Sequence, residues 1–197
     1  MRRRSLLSTL HILPGGYTRL EYIESNGTQY IDTGVIAKTG IESKMEFSYT
    51  KVPSDAAMLG ARKSGNRFYL VHYYGSFTIG YGEYYTTGVK ATAGTKYTVE
   101  SALLLNVQSM YINGEEAIFN GLSNSLDLGL NLYLFGLNYN GTVNYRSSAR
   151  CYSCKIYDNS VLVRDFVPCI DPNGVYGMYD MVGRQFYASK NGSFTGA

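Results

Sequence analysis

The chain has 197 residues, of which 20 are Tyr, 22 are Gly and none is Trp, and only 17% are charged. This composition is typical of short strands joined by tight turns and argues against a helical protein. The net charge is +3, from 18 Lys and Arg against 15 Asp and Glu, and because Arg2, Arg3 and Arg4 account for that excess, the sequence does not indicate the basic folded surface of a nucleic-acid groove.

A short basic segment precedes the main part of the chain. Pro14, Gly15 and Gly16 interrupt regular structure, so we expect residues 1–13 to form a flexible arm and residues 14–197 to form one domain. The apolar run in this arm is shorter than a signal peptide needs, and no stretch of the chain is suited to spanning a membrane. A sharper alternative is that Arg2, Arg3 and Arg4 dock the protein on a larger assembly.

Alternating apolar and polar residues predict strands in the first half of the chain. Residues 17–35 are expected to form two short strands around a hairpin turn at Ser25-Asn26-Gly27, because Asn-Gly readily adopts positive φ angles. Between Ser43 and Val52, Met45, Phe47 and Tyr49 alternate with polar residues, as in a half-buried strand. Further strands are expected at residues 56–62, 67–74 and 76–82.

The second half of the chain continues this pattern. Residues 95–119 are typical of a three-stranded meander, and residues 130–137 are apolar on both faces, as in a central strand. Residues 138–145 are expected to form an exposed loop with aromatic tips, and residues 120–127 a loop or a single turn. Strands at residues 175–180 and 184–188 should close the fold.

One hairpin, from Ala149 to Cys169, is expected to organise the molecule. Its two arms flank a turn at Asp158-Asn159-Ser160, and both faces of each arm carry apolar groups, as in inner strands of a two-sheet protein. Strict alternation would place Cys151 and Cys154 on opposite faces, so with Cys169 they are expected to be packed thiols rather than a zinc or redox site. The odd number of cysteines also argues against a secreted disulfide framework.

Together these elements predict an all-β fold of about a dozen strands with no convincing helix. The economical architecture is a two-sheet antiparallel jelly-roll sandwich.

Several phrases of the sequence together resemble a known family. Over about residues 13 to 196, the chain resembles the LamG-like, concanavalin A-like jelly-roll proteins encoded by phages and prophages of gut bacteria. The phrases are LPGGYTRLEYIESNGTQYIDTG at residues 13–34, LGAR at 59–62, KIYD at 155–158, LVRDFVPC at 162–169 and GMYD at 177–180, with Phe186 and Tyr187.

The resemblance implies a non-catalytic structural or adhesion protein of the phage particle that binds glycans or a receptor. Its partners would be a phage capsid or tail protein and cell-surface or mucus glycans, and it would act as a homo-oligomer or in many copies on a particle. Its location would be the virion, or otherwise the bacterial surface or the extracellular space. An alternative is a decoration or fibre component whose main role is protein docking. No acidic cluster matches the calcium-binding loop of calcium-dependent relatives, so calcium stays an open alternative that no sequence motif supports, and no other cofactor is expected.

A glycoside hydrolase is the last alternative. Hydrolases that share this fold place Glu and Asp at alternate positions of one strand, with the carboxylates about 5 Å apart in retaining enzymes. No such motif occurs here, since Glu21 and Glu24 should face opposite sides of a strand, and His72 lies in a tyrosine-rich strand with no nucleophile elbow nearby. An unrecognised pair would have to include a residue such as Glu83 or Glu100.

Tyrosines and asparagines near turns are the remaining candidates for a binding site. A tyrosine ring offers a sugar an apolar plane and a hydroxyl, and Asn supplies a donor and an acceptor. The other interpretation is that these tyrosines simply bridge core and water on the sandwich surface. The candidates are Tyr73, Tyr74, Tyr84, Tyr85, Asn138, Tyr139, Asn140 and Tyr145.

Overall fold

The computed structural model describes residues 12–52, 54–121 and 125–197, which form strands and turns without a helix. No helix that could cross a membrane is therefore found in these three ranges. Arg2, Arg3 and Arg4 lie outside the described residues, so the docking arm and the division at residue 13 stay predictions.

The described residues contain nineteen strands, more than the sequence predicts, because several have only two to four residues. In chain order they are β1 Thr18–Arg19, β2 Ile23–Asn26, β3 Ile31–Lys38, β4 Ile41–Tyr49, β5 Ala56–Lys63, β6 Asn66–Tyr73, β7 Ser76–Tyr81, β8 Glu83–Thr86, β9 Tyr97–Leu104, β10 Val107–Ile112, β11 Glu115–Gly121, β12 Asp127–Leu134, β13 Leu137–Tyr139, β14 Thr142–Asn144, β15 Ser148–Asp158, β16 Val161–Ile170, β17 Tyr176–Asp180, β18 Gln185–Ala188 and β19 Thr195–Gly196.

The strands form two sheets. Sheet A has the order β11-β10-β9-β4-β15-β16-β17-β18, with β1 beside β16 and β2 between β15 and β19. Sheet B has the order β14-β13-β5-β6-β7-β8, with β12 joining β5 to β3. The pairs are antiparallel except for β13 with β5. The all-β, two-sheet sandwich expected from the sequence is confirmed.

The core lies between the sheets. On β4 the predicted alternation is confirmed, since Met45, Phe47 and Tyr49 are fully buried. The ring of Phe47 meets that of Phe77 from the other sheet at a centroid distance of 6.1 Å. His72 on β6 is only 1% exposed and packs edge-on against Tyr49, so it is a core residue of a strand.

The organising hairpin is confirmed. Strands β15 and β16 pair across a turn in which Asn159 and Ser160 have φ angles of 48° and 63°. Strand β15 also pairs with β4 and β2, so it is an inner strand that connects most of sheet A.

The predicted division of faces along β15 is wrong because the strand contains a β-bulge. Cys151 lies opposite Phe47 and Ser153 opposite Glu46, which leaves Tyr152 as an extra residue. The bulge turns both Cys151 and Cys154 into the core, where each is fully buried as a free thiol. The interpretation of these cysteines as packed thiols therefore holds, although the strict alternation behind it does not.

The predicted hairpin at Ser25-Asn26-Gly27 is also wrong. Strand β2 pairs in sheet A and β3 in sheet B, so the turn carries the chain from one sheet to the other. The buried side chain of Gln29 stabilises this crossing. Its Oε1 accepts a hydrogen bond from the Asn26 amide at 2.9 Å, and its Nε2 donates to the Ser193 carbonyl at 3.0 Å.

Candidate functional site

The outer face of sheet B carries a pocket of about 100 Å³ lined by aromatic and basic side chains. We refer to it as the tyrosine groove. Its lining residues are Ala56, Arg62, Arg67, Tyr69, Val71, Tyr73, Tyr84, Leu137 and Tyr145.

Strand alternation brings these side chains to one face. On β6, residues 67, 69, 71 and 73 face outward, while Phe68 and Leu70 between them belong to the core. On β5, Arg62 lies directly opposite Arg67, and Gly60 lies opposite Tyr69. Strand β8 adds Tyr84, which pairs with Gly80 of β7.

Tyr69 forms the floor of the groove. A Cβ atom at Gly80 would lie 2.5 Å from Cε2 of this ring, and one at Gly60 would lie 2.6 Å from its Cβ, so the two glycines let the ring lie close to the sheet. Val71 and Leu137 pack with Tyr69 in a small apolar cluster outside the main core. Burial raises the pKa of Tyr69 to about 12 against the opposing effect of the nearby arginines, so its hydroxyl remains a donor at neutral pH.

Tyr73, Tyr84 and Tyr145 form the walls. The rings of Tyr73 and Tyr84 meet edge-on at a centroid distance of 5.7 Å. A hydrogen bond with Tyr74 raises the pKa of Tyr73 to about 12, which keeps that phenol protonated. Tyr84 and Tyr145 are 41% and 40% exposed, so both leave aromatic surface open to a ligand.

The two arginines are held by carbonyl groups and aromatic rings. Arg67 donates from Nη1 to the carbonyls of Gly82 at 2.9 Å and Gly65 at 3.2 Å, and its guanidinium lies 5.4 Å from the centroid of the Tyr84 ring. Arg62 donates from Nε to the Ser64 carbonyl at 3.2 Å and lies 5.4 Å from the Tyr139 ring. These contacts orient the guanidinium planes in the groove.

The structure brings together most of the tyrosines proposed from the sequence. Tyr73, Tyr84 and Tyr145 line the groove, Tyr74 packs on Tyr73 at a centroid distance of 4.2 Å, and Tyr139 lies against Arg62. Tyr85 does not join them. It lies in β8 opposite Ile79, a core residue, and therefore points away from the groove.

The candidate asparagines position the groove rather than line it. Residues 138–145, expected as an exposed loop, form the hairpin of β13 and β14, and Asn138 is only 3% exposed. Its Nδ2 donates to the Asn131 carbonyl at 2.8 Å, and its Oδ1 accepts from the Gly141 amide at 2.8 Å. Asn140 Oδ1 accepts from the Ser64 amide at 3.3 Å and so ties this hairpin to the β5–β6 turn.

Sequence reasoning missed Arg62, Arg67 and Tyr69. Their signal was present, because Arg67, Tyr69, Val71 and Tyr73 are spaced two apart and must share one face of a strand. The two-residue turn at Ser64-Gly65 also places Arg62 opposite Arg67, but the sequence could not show that this face would be the outer one.

Carboxylates are not gathered at the groove. None of its lining residues is Asp or Glu. The side chain of Glu83, the first residue of β8, is 82% exposed, whereas Glu100 pairs with Lys44 at 2.6 Å on sheet A. Within the described ranges, no cluster of three or more His, Cys, Asp or Glu side chains could hold a metal ion. The arrangement can stack on a ligand and donate hydrogen bonds to it.

Comparison with known proteins finds similar structures but no similar family model or curated sequence. No protein-family model and no curated protein sequence matches the chain. Among solved structures, a Bacteroides ovatus protein named as carbohydrate-binding has a TM-score of 0.68 at 11% identity; the match covers 91% of this chain and 60% of that one.

Two further solved structures come from domains of glycan-processing enzymes. The CBM40 of a Ruminococcus gnavus IT-sialidase, bound to α2,3 sialyllactose, matches with a TM-score of 0.55 at 15% identity, covering 71% of this chain and 90% of its own. Domain 4 of AbnA, an extracellular arabinanase of Geobacillus stearothermophilus in complex with arabinotriose, gives a TM-score of 0.52 at 16% identity, covering 64% and 63%. At these identities, the likeness establishes the shared β-sandwich fold.

Proposed function

We propose that the protein is a non-catalytic glycan-binding module and that the tyrosine groove is its binding site. The observation that carries this proposal is the convergence of four tyrosines and two oriented arginines in one pocket on a sheet face. Solved structures of the same fold include domains captured with sialyllactose and with arabinotriose, which supports a saccharide as the ligand.

The chemistry of the groove suits a sugar. The half-exposed rings of Tyr84 and Tyr145 offer apolar planes to the C–H face of a pyranose, and the phenols supply hydrogen bonds to its hydroxyl groups. Stacked rings and carbonyl-bound guanidinium groups fix these side chains in advance, which lowers the entropy lost on binding. The absence of a carboxylate pair from the lining supports a role in binding rather than hydrolysis.

Tyr84 and Tyr85 give a matched test, because these neighbours lie on opposite faces of β8. We expect Tyr84→Ala to weaken binding to responsive sugars on a glycan array by about tenfold, the value of one aromatic contact. The side chain of Tyr85 has nearly the same exposed fraction as that of Tyr84. Tyr85→Ala should therefore leave the affinity within about twofold of wild type. Thermal unfolding of both variants checks that each is folded.

The array should be read with monomeric protein and with protein displayed in many copies, because multivalency amplifies weak single sites. Failure of the wild type to bind any glycan in either format would overturn the proposal. So would an equal loss of binding in both tyrosine variants.

The phage setting is part of the proposal and is supported by the sequence resemblance. In that setting the module would sit on the virion, presented in many copies, with Arg2, Arg3 and Arg4 in an arm that docks on a capsid or tail protein. Deleting residues 1–13 should then abolish incorporation into particles while leaving glycan binding intact. Incorporation at the wild-type level would reject the docking arm.

A further inference from the structure

Two positive charges lie side by side in the tyrosine groove. Arg62 and Arg67 are direct partners across the antiparallel pair of β5 and β6, and both side chains line the pocket. Like charges at directly opposed positions destabilise a sheet. The pairing therefore has a cost in the free protein that a bound anion would remove.

Several other cations of the molecule have close carboxylate partners. On sheet A, Arg150 meets Glu24 at 2.6 Å, Lys44 meets Glu100 at 2.6 Å, and Lys96 meets Glu46 at 2.8 Å. Such close pairs leave little net field at the surface.

The groove differs from those surfaces. Among the described residues, Arg62 has no carboxylate within 4.0 Å, and Arg67 has only the exposed Glu83 at 3.9 Å. At the other end of the groove, the Asp55 carboxylate lies near the rim, 3.4 Å from the Tyr74 amide. Inside the lining, two guanidinium groups stand with no acidic side chain.

The same arginines keep donors for a ligand. Within the described part of the chain, their hydrogen bonds to carbonyls use Nε of Arg62 and Nη1 of Arg67. A guanidinium carries five N–H donors in a planar fork that matches an anionic oxygen pair. The protonated Tyr69 hydroxyl beneath them adds a further donor, since burial holds its pKa near 12.

We propose that the groove selects acidic saccharides and holds the negatively charged group of the sugar between Arg62 and Arg67. This inference rests on the proposed glycan-binding function and names its ligand class. The shared chemistry is a carboxylate or a sulfate ester on a sugar ring that stacks against Tyr84 or Tyr145.

The first test compares charged and neutral sugars of matched size by titration calorimetry. Suitable pairs are sialyllactose with its methyl ester, and an oligogalacturonate with its carboxyl-reduced form, with a sulfated galactan oligosaccharide to separate sulfate from carboxylate. We expect the charged member to bind at least about tenfold more tightly, the value of one charge-assisted hydrogen bond. This advantage should shrink when the salt concentration is raised from about 0.05 M to about 0.5 M, because ions screen the charges.

The second test uses Arg62→Gln and Arg67→Gln. Each should remove most of the preference for the charged sugar and keep the weaker binding of the neutral one. Lys63→Gln is the matched control, because it removes the same charge from the adjacent residue, which does not line the groove. It should bind both sugars as the wild type does.

The outcomes separate this inference from the proposed function. Equal affinity for charged and neutral sugars, or an unchanged preference in both arginine variants, would overturn the inference and leave glycan binding standing. No binding of any saccharide by the wild type would overturn both. The comparison of sugars on the wild type needs no variant, so it remains decisive if an arginine substitution prevents folding.

Discussion

At the scale of single residues, Gly80 fixes the position of the Tyr69 ring. A Cβ atom at this site would overlap the ring, with contacts of 2.5 to 2.8 Å to three of its atoms. We expect Gly80→Ala to push the ring into the groove, to cost about 1–3 kcal/mol in the free energy of unfolding, and to weaken glycan binding. Urea unfolding and sugar titration measure the two effects.

Gly15 provides the control for this substitution, because a Cβ atom there meets nothing within 4 Å and the residue does not line the groove. Gly15→Ala should leave affinity unchanged. If Gly80→Ala bound glycans as tightly as the wild type, the floor of the groove would not be Tyr69 in the position described.

At the scale of elements, the β13–β14 hairpin depends on one buried side chain. Asn138 joins the hairpin to the Asn131 carbonyl and closes its turn through the Gly141 amide. We expect Asn138→Ala to cost about 1–3 kcal/mol, because it leaves buried backbone groups without partners, and to loosen the hairpin that carries Tyr139. Hydrogen exchange should show faster exchange of the amides at residues 137–145, together with weaker glycan binding.

Asn144 lies exposed on the same hairpin, so Asn144→Ala is the matched control and should change neither measurement. Unchanged protection of the hairpin in Asn138→Ala would contradict the anchoring role. Glycan binding unaffected by a loosened hairpin would instead remove Tyr139 and Tyr145 from the site.

The strands and turns also show which parts of the fold could be predicted from the sequence. Local alternation was sufficient to locate β4 and the β9–β11 meander, and polar turn residues between two apolar strands were sufficient to locate the β15–β16 hairpin. It failed at Tyr152, where a bulge depends on the partner strand, and at Gly27, where a turn of hairpin type leads to a different sheet. The sequence analysis also placed Tyr84 and Tyr85 in one candidate site, although consecutive residues of a strand point to opposite faces. The pairing of Arg62 with Arg67 follows from the register of the two-residue turn at Ser64-Gly65, which the sequence analysis did not assign.

At the scale of the whole molecule, burial in the sandwich keeps three thiols and one phenol protonated. Cys151, Cys154 and Cys169 are fully buried, and burial is the main cause that raises the pKa of each thiol, to about 12 for Cys151 and Cys169. Tyr49, also fully buried, has its pKa raised by the same cause. The native state thus retains protons that the unfolded chain releases at lower pH.

This difference predicts alkaline sensitivity. Free thiols lose their protons near pH 8.5, so above about that value the unfolded state binds fewer protons than the native state, and the free energy of unfolding must fall as pH rises. The contribution of the protonated thiols to the free energy of unfolding is fully present below about pH 8. Above that value it should decline by about 1.4 kcal/mol per pH unit for each buried thiol, until the pH reaches the pKa of that thiol in the native state. Urea unfolding in a reducing buffer at several values between about pH 7 and pH 10.5 measures how steeply the free energy of unfolding falls with pH.

Cys154→Ala will lower stability at neutral pH by leaving a cavity. Its free energy of unfolding should fall less steeply with pH than that of the wild type, by the contribution of one thiol. A wild-type stability that stays constant over this range would mean that solvent reaches these thiols in the native state.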